Sequence, residues 1–140
     1  MAQQRFIGIS PTTYVADVDF SGSPAGAQYR GVAAASTAGN VGLGTGGSNP
    51  APLGVIQNSP SQGQAAEVIT LGPTFLQARC ATCTLNFGRF LVCASDGVFD
   101  VAAAGCPANA RWDGPNVTTG SAYGAAFFFG GIATCHPTLT

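Results

Sequence analysis

The side chains with the most chemistry to offer are five cysteines and a single histidine, His136. Cys80-Ala81-Thr82-Cys83 has the spacing of a redox dithiol, in which a helix N-terminus lowers one thiol pKa so that it attacks as thiolate. It also has the spacing of half a zinc site. The redox reading needs a helix start, but residues 80–83 lie in β-type surroundings with no βαβ pattern. The zinc reading needs further ligands, and these come only from Cys135 or His136. Two other readings stay open: buried free thiols that pack as small hydrophobes, and structural disulfides. An odd number of cysteines leaves at least one outside any intrachain pairing. A Cys93–Cys106 bridge would staple the loop that follows residues 88–102.

Other reactive patterns are weaker. Asp17 and Asp19 fall on one side of a strand, a spacing that permits acid–base work or a calcium site. A solvated strand face accounts for both, and Asp96, Asp100 and Asp113 read as turn or loop residues. Cys135 and His136 are adjacent, so on a strand they point to opposite faces and do not make a nucleophile–base dyad. Gly42-Leu43-Gly44-Thr45-Gly46-Gly47 resembles a phosphate loop only in its glycines, because a P-loop needs a lysine and the chain has none. Asn116-Val117-Thr118 is a glycosylation sequon, relevant only to a eukaryotic secretory context. The expectation is therefore a protein that is not an enzyme and has no cofactor or metal.

The elements that carry these residues read as strands. Twenty glycines and nine prolines leave no room for long helices. Short apolar or alternating runs separated by turn clusters predict strands over 14–20, 28–34, 52–57, 65–71, 74–85 (broken near the cysteines) and 98–102. The last of these forms a hairpin with 88–94 around Ser95-Asp96-Gly97, since Asp-Gly favours a tight hairpin turn. Residues 36–52 and 104–121, rich in Gly, Pro and Asn, read as long loops, the second carrying the only tryptophan, Trp112. Within the apolar run 123–129, the stretch Ala125-Ala126-Phe127-Phe128-Phe129 has no polar side and reads as a buried or an interface strand. Residues 1–13 read as an extended N-terminal arm ahead of a single β domain over 14–140.

Composition narrows the function. Charged residues are 8% of the chain, against about 25% in ordinary soluble domains. The net charge is −1, and all five cations are arginines. A surface this poor in charge is expected to be covered by a partner or by other copies, because 46% hydrophobic residues must be buried somewhere. Five scattered arginines make no basic stripe, so no nucleic-acid partner is expected. No segment reaches the roughly 18 apolar residues of a membrane span. Residues 1–8 lack the apolar run of a signal peptide, so no secretion address is expected.

Three stretches resemble one family. Ala27-Gln28-Tyr29-Arg30-Gly31-Val32 is followed by a Gly-rich gap. Then come Leu53-Gly54-Val55-Ile56-Gln57-Asn58-Ser59-Pro60-Ser61-Gln62-Gly63-Gln64-Ala65-Ala66-Glu67-Val68, Gly72, and Gly88-Arg89-Phe90-Leu91-Val92-Cys93-Ala94-Ser95-Asp96-Gly97. Together, over roughly residues 14–102, they are similar to the small β-type capsid decoration (cement) proteins of tailed phages. The 53–68 block also makes physical sense unaided. Gly54 relieves a close approach, Asn58 and Pro60 favour a turn, and Gly63 supplies a conformation other residues avoid.

The resemblance implies an all-β fold, a small antiparallel β-barrel or sandwich (β-tulip-like) with an extended arm and long loops. It implies a virion protein on the outer capsid surface, bound to the major capsid protein and to itself as a homotrimer. Arg5, Phe6, Ile7 and Ile9 of the arm and Phe127, Phe128 and Phe129 are then the expected contacts. The arm would add its backbone to an edge strand of a neighbour. The alternative is a phage surface module of carbohydrate-binding or fibre type, with Trp112 and Tyr123 meeting the ligand.

Overall fold

A computed structural model describes residues 14–22, 28–44, 52–103, 107–130 and 134–135. The expected arm, with Arg5, Phe6, Ile7 and Ile9, lies outside the described residues, as do Cys106 and His136. The described residues are all-β, with thirteen strands and no helix. These are β1 (Tyr14–Ala16), β2 (Gly31–Ala34), β3 (Asn40–Leu43), β4 (Gly54–Ile56), β5 (Ala65–Ala66), β6 (Val68–Ile69) and β7 (Gly72–Leu85). Then follow β8 (Phe90–Cys93), β9 (Phe99–Val101), β10 (Pro107–Ala108), β11 (Ala110–Trp112), β12 (Val117–Phe128) and β13 (Thr134–Cys135).

Two sheets organise eleven of them, and β10 pairs with β13 as a separate two-stranded sheet. The first runs β5-β1-β3-β2-β4-β6. Its two edge strands are consecutive in the chain and separated only by Glu67, so one stretch of backbone lines both edges and the sheet all but closes. Asn58 bridges this seam. Its Nδ2 donates to the Ala65 carbonyl at 3.1 Å and its Oδ1 accepts from the Glu67 N–H at 2.9 Å. Gly54 stands where a Cβ would run into the Ile69 carbonyl and the Val68 side chain, so β4 and β6 approach closely only because it is glycine. Gly63 takes φ +85°, the left-handed turn expected of it. This sheet encloses Ala16, Phe20, Val32, Val41, Ile56, Ala66 and Val68.

The second sheet is a closed barrel, β11-β12-β7-β9-β8. Its interior holds Leu76, Leu85, Leu91, Phe99, Trp112 and Phe128, with Val55 reaching in from the first sheet. β7 shows the alternation that makes this possible. Leu76 and Ala78 point in and are fully buried, while Phe75, Gln77 and Arg79 point out and are half-buried. Most pairings are antiparallel, but β1 with β3 and β7 with β9 are parallel. The sheets are joined by backbone bonds from Tyr29 N to Ile56 O (2.8 Å), Gln77 N to Tyr29 O (2.8 Å) and Gly31 N to Gly97 O (2.7 Å). No helix among the described residues is long and apolar enough to cross a membrane.

Several element expectations change. The strand expected over 14–20 ends at Ala16; the chain then turns, so Phe20 is buried while Val18, which an unbroken strand would place on the same side, is 41% exposed. The loop expected over 36–52 contains β3, which lies between β1 and β2. The loop expected over 104–121 contains β11 and the start of β12. In both cases the strand is defined by what it pairs with, since the residues themselves carry little alternation.

Candidate functional surface

The outer face of the β7–β12 pair carries the most distinctive exposed chemistry. Phe75 faces outward on β7 with Gln77 beside it, and Tyr123 lies opposite Gln77 on β12. Tyr29, in the junction between the sheets, brings its ring edge-on to both Phe75 (centroids 5.8 Å apart) and Tyr123 (5.9 Å). Edge-to-face packing of this kind fixes ring orientation. Tyr123 remains 51% exposed. Tyr29 has φ +68°, alone among the described non-glycine residues, a conformation that costs about 1–2 kcal/mol and persists only where the surroundings impose it. Here the two backbone bonds of Tyr29 to Ile56 and Gln77 impose it.

Polar groups border the rings. Arg30 donates from Nε to Gln77 Oε1 at 3.1 Å and from Nη1 to the Asp96 carbonyl at 3.5 Å. Arg79 is gripped by two carboxylates, Asp96 at 2.7 Å and Asp100 at 2.7 Å. Both aspartates therefore do more than occupy a turn. Asp96 also accepts from the Val98 N–H, closing the β8–β9 turn. Burial alone would raise the Asp96 pKa. The Arg79 hydrogen bond, the Val98 N–H and the charges of Arg79 and Arg30 outweigh burial and hold it below the usual carboxylate range. The same pairing raises Arg79, chiefly through Asp100 and then Asp96.

A depressed folded-state pKa adds stability above the unfolded value of about 3.9 that is lost as pH falls through the folded value. Asp96→Asn, which keeps the oxygen for Val98, should therefore lower stability at pH 7 but not at pH 2. Since the Asp96 side chain is 45% exposed, the loss should stay within about 1 kcal/mol, screened by salt. Urea melts at the two pH values measure it, and an equal loss at both would refute an ionic contribution.

The expected contact residues of β12 are sorted by the barrel. Phe128 is fully buried, packed edge-on against Phe99 at 6.3 Å, which corrects its expected role as an interface residue. Phe127 points outward under the Arg111 guanidinium, 5.8 Å from the ring centroid, and Arg111 is also paired with Asp113 at 2.7 Å. Phe129 is half-buried and its ring meets Phe90 at 6.2 Å. Trp112, expected at an exposed ligand-binding position, is fully buried, and its Nε1 donates to the Pro115 carbonyl at 2.9 Å. An exposed aromatic not foreseen is Phe87, at the tip of the β7–β8 turn and 70% exposed. Its backbone N–H donates to Asn116 Oδ1 at 2.9 Å, so the asparagine of the sequon positions a turn.

The cysteines are also resolved differently. Cys80 and Cys83 form a disulfide. Cys93, expected to bridge to Cys106, is a free buried thiol. Burial first, then the charges of Asp96 and Asp100, push its pKa up to about 12, so it carries almost no thiolate at neutral pH. Asp17 accepts from Asn40 Nδ2 at 3.0 Å and Asp19 from Ser21, so each has a local partner. No group of three or more potential metal ligands occurs among the described residues. Gly42 and Leu43 of the glycine-rich run belong to β3.

Searches with the sequence find no matching protein-family model and no matching curated protein.

Proposed function

We propose that this chain is a capsid decoration protein, which binds the outer surface of a tailed-phage shell and stabilises it. The observation that supports this best is the uncharged aromatic strip of Tyr29, Phe75 and Tyr123, held in fixed orientation on the outside of a β body. Such a strip suits docking against another protein, where rigid aromatic rings supply most of the contact energy. The low charge of the chain and the resemblance of residues 14–102 point the same way. The partners are the major capsid protein and two further copies in a homotrimer. Weak contacts made several at a time add up to firm clamping of the shell against its internal pressure.

The test is co-sedimentation with undecorated shells, followed by electron microscopy to locate the added density. Binding outside the shell is expected; failure to bind any shell of the parent phage, or turnover of a substrate by the lone protein, would end this reading. Deleting residues 2–13 should abolish shell binding while leaving the far-ultraviolet spectrum and melting temperature intact. A truncated chain that binds at full strength would show that the arm is not the clamp.

The exposure of Tyr123 beside Gln77 and Arg30 also suits a carbohydrate-binding module, with a sugar ring on the tyrosine and its hydroxyls on the polar pair. Tyr123→Ala separates the two: loss of glycan capture with shell binding retained favours the module.

A further inference from the structure

The Cys80–Cys83 disulfide lies inside a strand, where such a bond is unexpected. Three steps along extended backbone span about 10 Å, yet these two Cα atoms are 5.5 Å apart. The ladder shows why. Gly120 pairs with Cys80 and Thr118 with Thr84, so β7 takes four residue steps where β12 takes two. The surplus is thrown into a bulge spanning Ala81 and Thr82, both exposed, and the disulfide ties the base of that bulge. On the other side of β7 the only pairing is with β9, at Ala78 and Arg79, so this edge of the bulged segment has no strand partner among the described residues. Cys80 is nearly buried, whereas Cys83 is half-buried and lies next to the exposed pair.

We propose that Cys80 and Cys83 are a thiol–disulfide exchange site that acts as a redox lock on the β7–β12 ribbon, open as a dithiol in a reducing compartment and closed outside it. The compartment change rests on the decoration-protein reading, in which the chain is made in a reducing cytosol and then leaves it; the exchange chemistry does not. Closure runs through a small-molecule disulfide such as oxidised glutathione. The Cys83 thiolate, the more accessible sulfur, attacks one glutathione sulfur and releases the other as a thiolate. The Cys80 thiolate then attacks the Cys83 sulfur of the mixed disulfide and releases the second glutathione. Two protons leave the protein, the dithiol is oxidised, and one oxidised glutathione becomes two reduced ones. Opening is the reverse, with a thiolate attacking at Cys83. Cys93 takes no part, because its buried thiol stays protonated.

Closing a loop this short removes few unfolded conformations, so the consequence is local. Its entropy corresponds to about tenfold tighter closure of the bulge. The experiment is differential alkylation and amide exchange of the full-length protein in defined glutathione buffers. Cys80 and Cys83 should pass together from unmodified to modified as the buffer becomes reducing, while the protein stays folded. Amides of 81–84 and 117–120 should then exchange about tenfold faster, with Leu76 and Ala78 unchanged. A Cys80→Ser/Cys83→Ser double variant should show the fast exchange in both buffers. A pair that resists excess dithiothreitol in the folded protein, or a double variant that exchanges as slowly as the oxidised chain, would overturn the lock. Because no shell is present, neither result bears on capsid binding.

Discussion

Phe128→Ala should destabilise the protein by about 3–5 kcal/mol, whereas Phe127→Ala should cost no more than about 1 kcal/mol. The two residues are adjacent and identical in type, and the difference comes entirely from the side of β12 on which each falls. Phe128 is fully buried and meets Phe99 edge-on inside the barrel. Its removal loses the transfer free energy of a large ring and leaves a cavity between β7, β9 and β11 that rigid strands collapse into only partly. Phe127 loses a half-exposed contact with the Arg111 guanidinium, a surface cation–π pair worth about 0.5–1 kcal/mol. Chemical denaturation of both variants measures the contrast. Equal losses would mean that β12 is not seated in this register. If the decoration reading holds, the order reverses for assembly: Phe127→Ala should weaken shell or trimer contacts more than it weakens the fold.

Trp112→Ala is expected to cost a similar amount, about 3–5 kcal/mol, and to unfold a marginal domain at moderate temperature. The indole is fully buried in the barrel. Its space is made by two glycines: a Cβ on Gly124 would come within 2.5 Å of the ring and one on Gly114 within 2.6 Å. Gly124→Ala should therefore destabilise by overpacking, by roughly 1–3 kcal/mol. The two substitutions should not add. Once the indole is gone, the extra methyl on residue 124 occupies space the ring has left, so the double variant should be at least about 1 kcal/mol more stable than the sum of the single losses predicts. Additive losses would show that Gly124 does not face the indole. A Trp112→Ala protein that melts like the parent would place the side chain outside the core.

Much of the architecture was legible in the chain. Glycine and proline content excluded long helices, and the runs 65–71 and 74–85 announced strands, although 65–71 is not one strand but is split at Glu67 into β5 and β6. Asp96-Gly97 marked a hairpin that forms as expected, with Cys93 opposite Phe99. The 53–68 block was readable because each of its turn residues has a local physical reason: Gly54 a close approach, Asn58 a bridge to backbone, Gly63 a left-handed conformation. Strands β3 and β11 were not readable. Asn40–Leu43 has one glycine in four residues and no clear alternation, and Ala110–Trp112 is three residues long. Each exists because neighbours on both sides offer it hydrogen bonds, and that is a property of other parts of the chain.

The surface shows the same division. An exposed Tyr123 was expected only in the ligand-binding alternative, and it is exposed, though on a strand. Its grouping with Tyr29 and Phe75 was not expected, because Tyr29 is 94 positions away and reaches β12 only through a left-handed residue at the junction of two sheets. Arg79 with Asp96 and Asp100 was missed for a related reason: the parallel β7–β9 pairing that aligns Arg79 with Asp100 has no local signature.

By itself, then, the amino-acid order determined the class of fold, the turns, the poverty of charge and the types of side chain available for contact. Tertiary structure alone decided which phenylalanine of three is core, that Trp112 fills a barrel instead of facing a ligand, and that Cys80 bonds to Cys83 while Cys93 stays a thiol. The physical reason is range. Turn preferences and strand alternation act over two to four residues, whereas burial and pairing are settled by strands tens of residues apart, and barrel closure fixes them all at once.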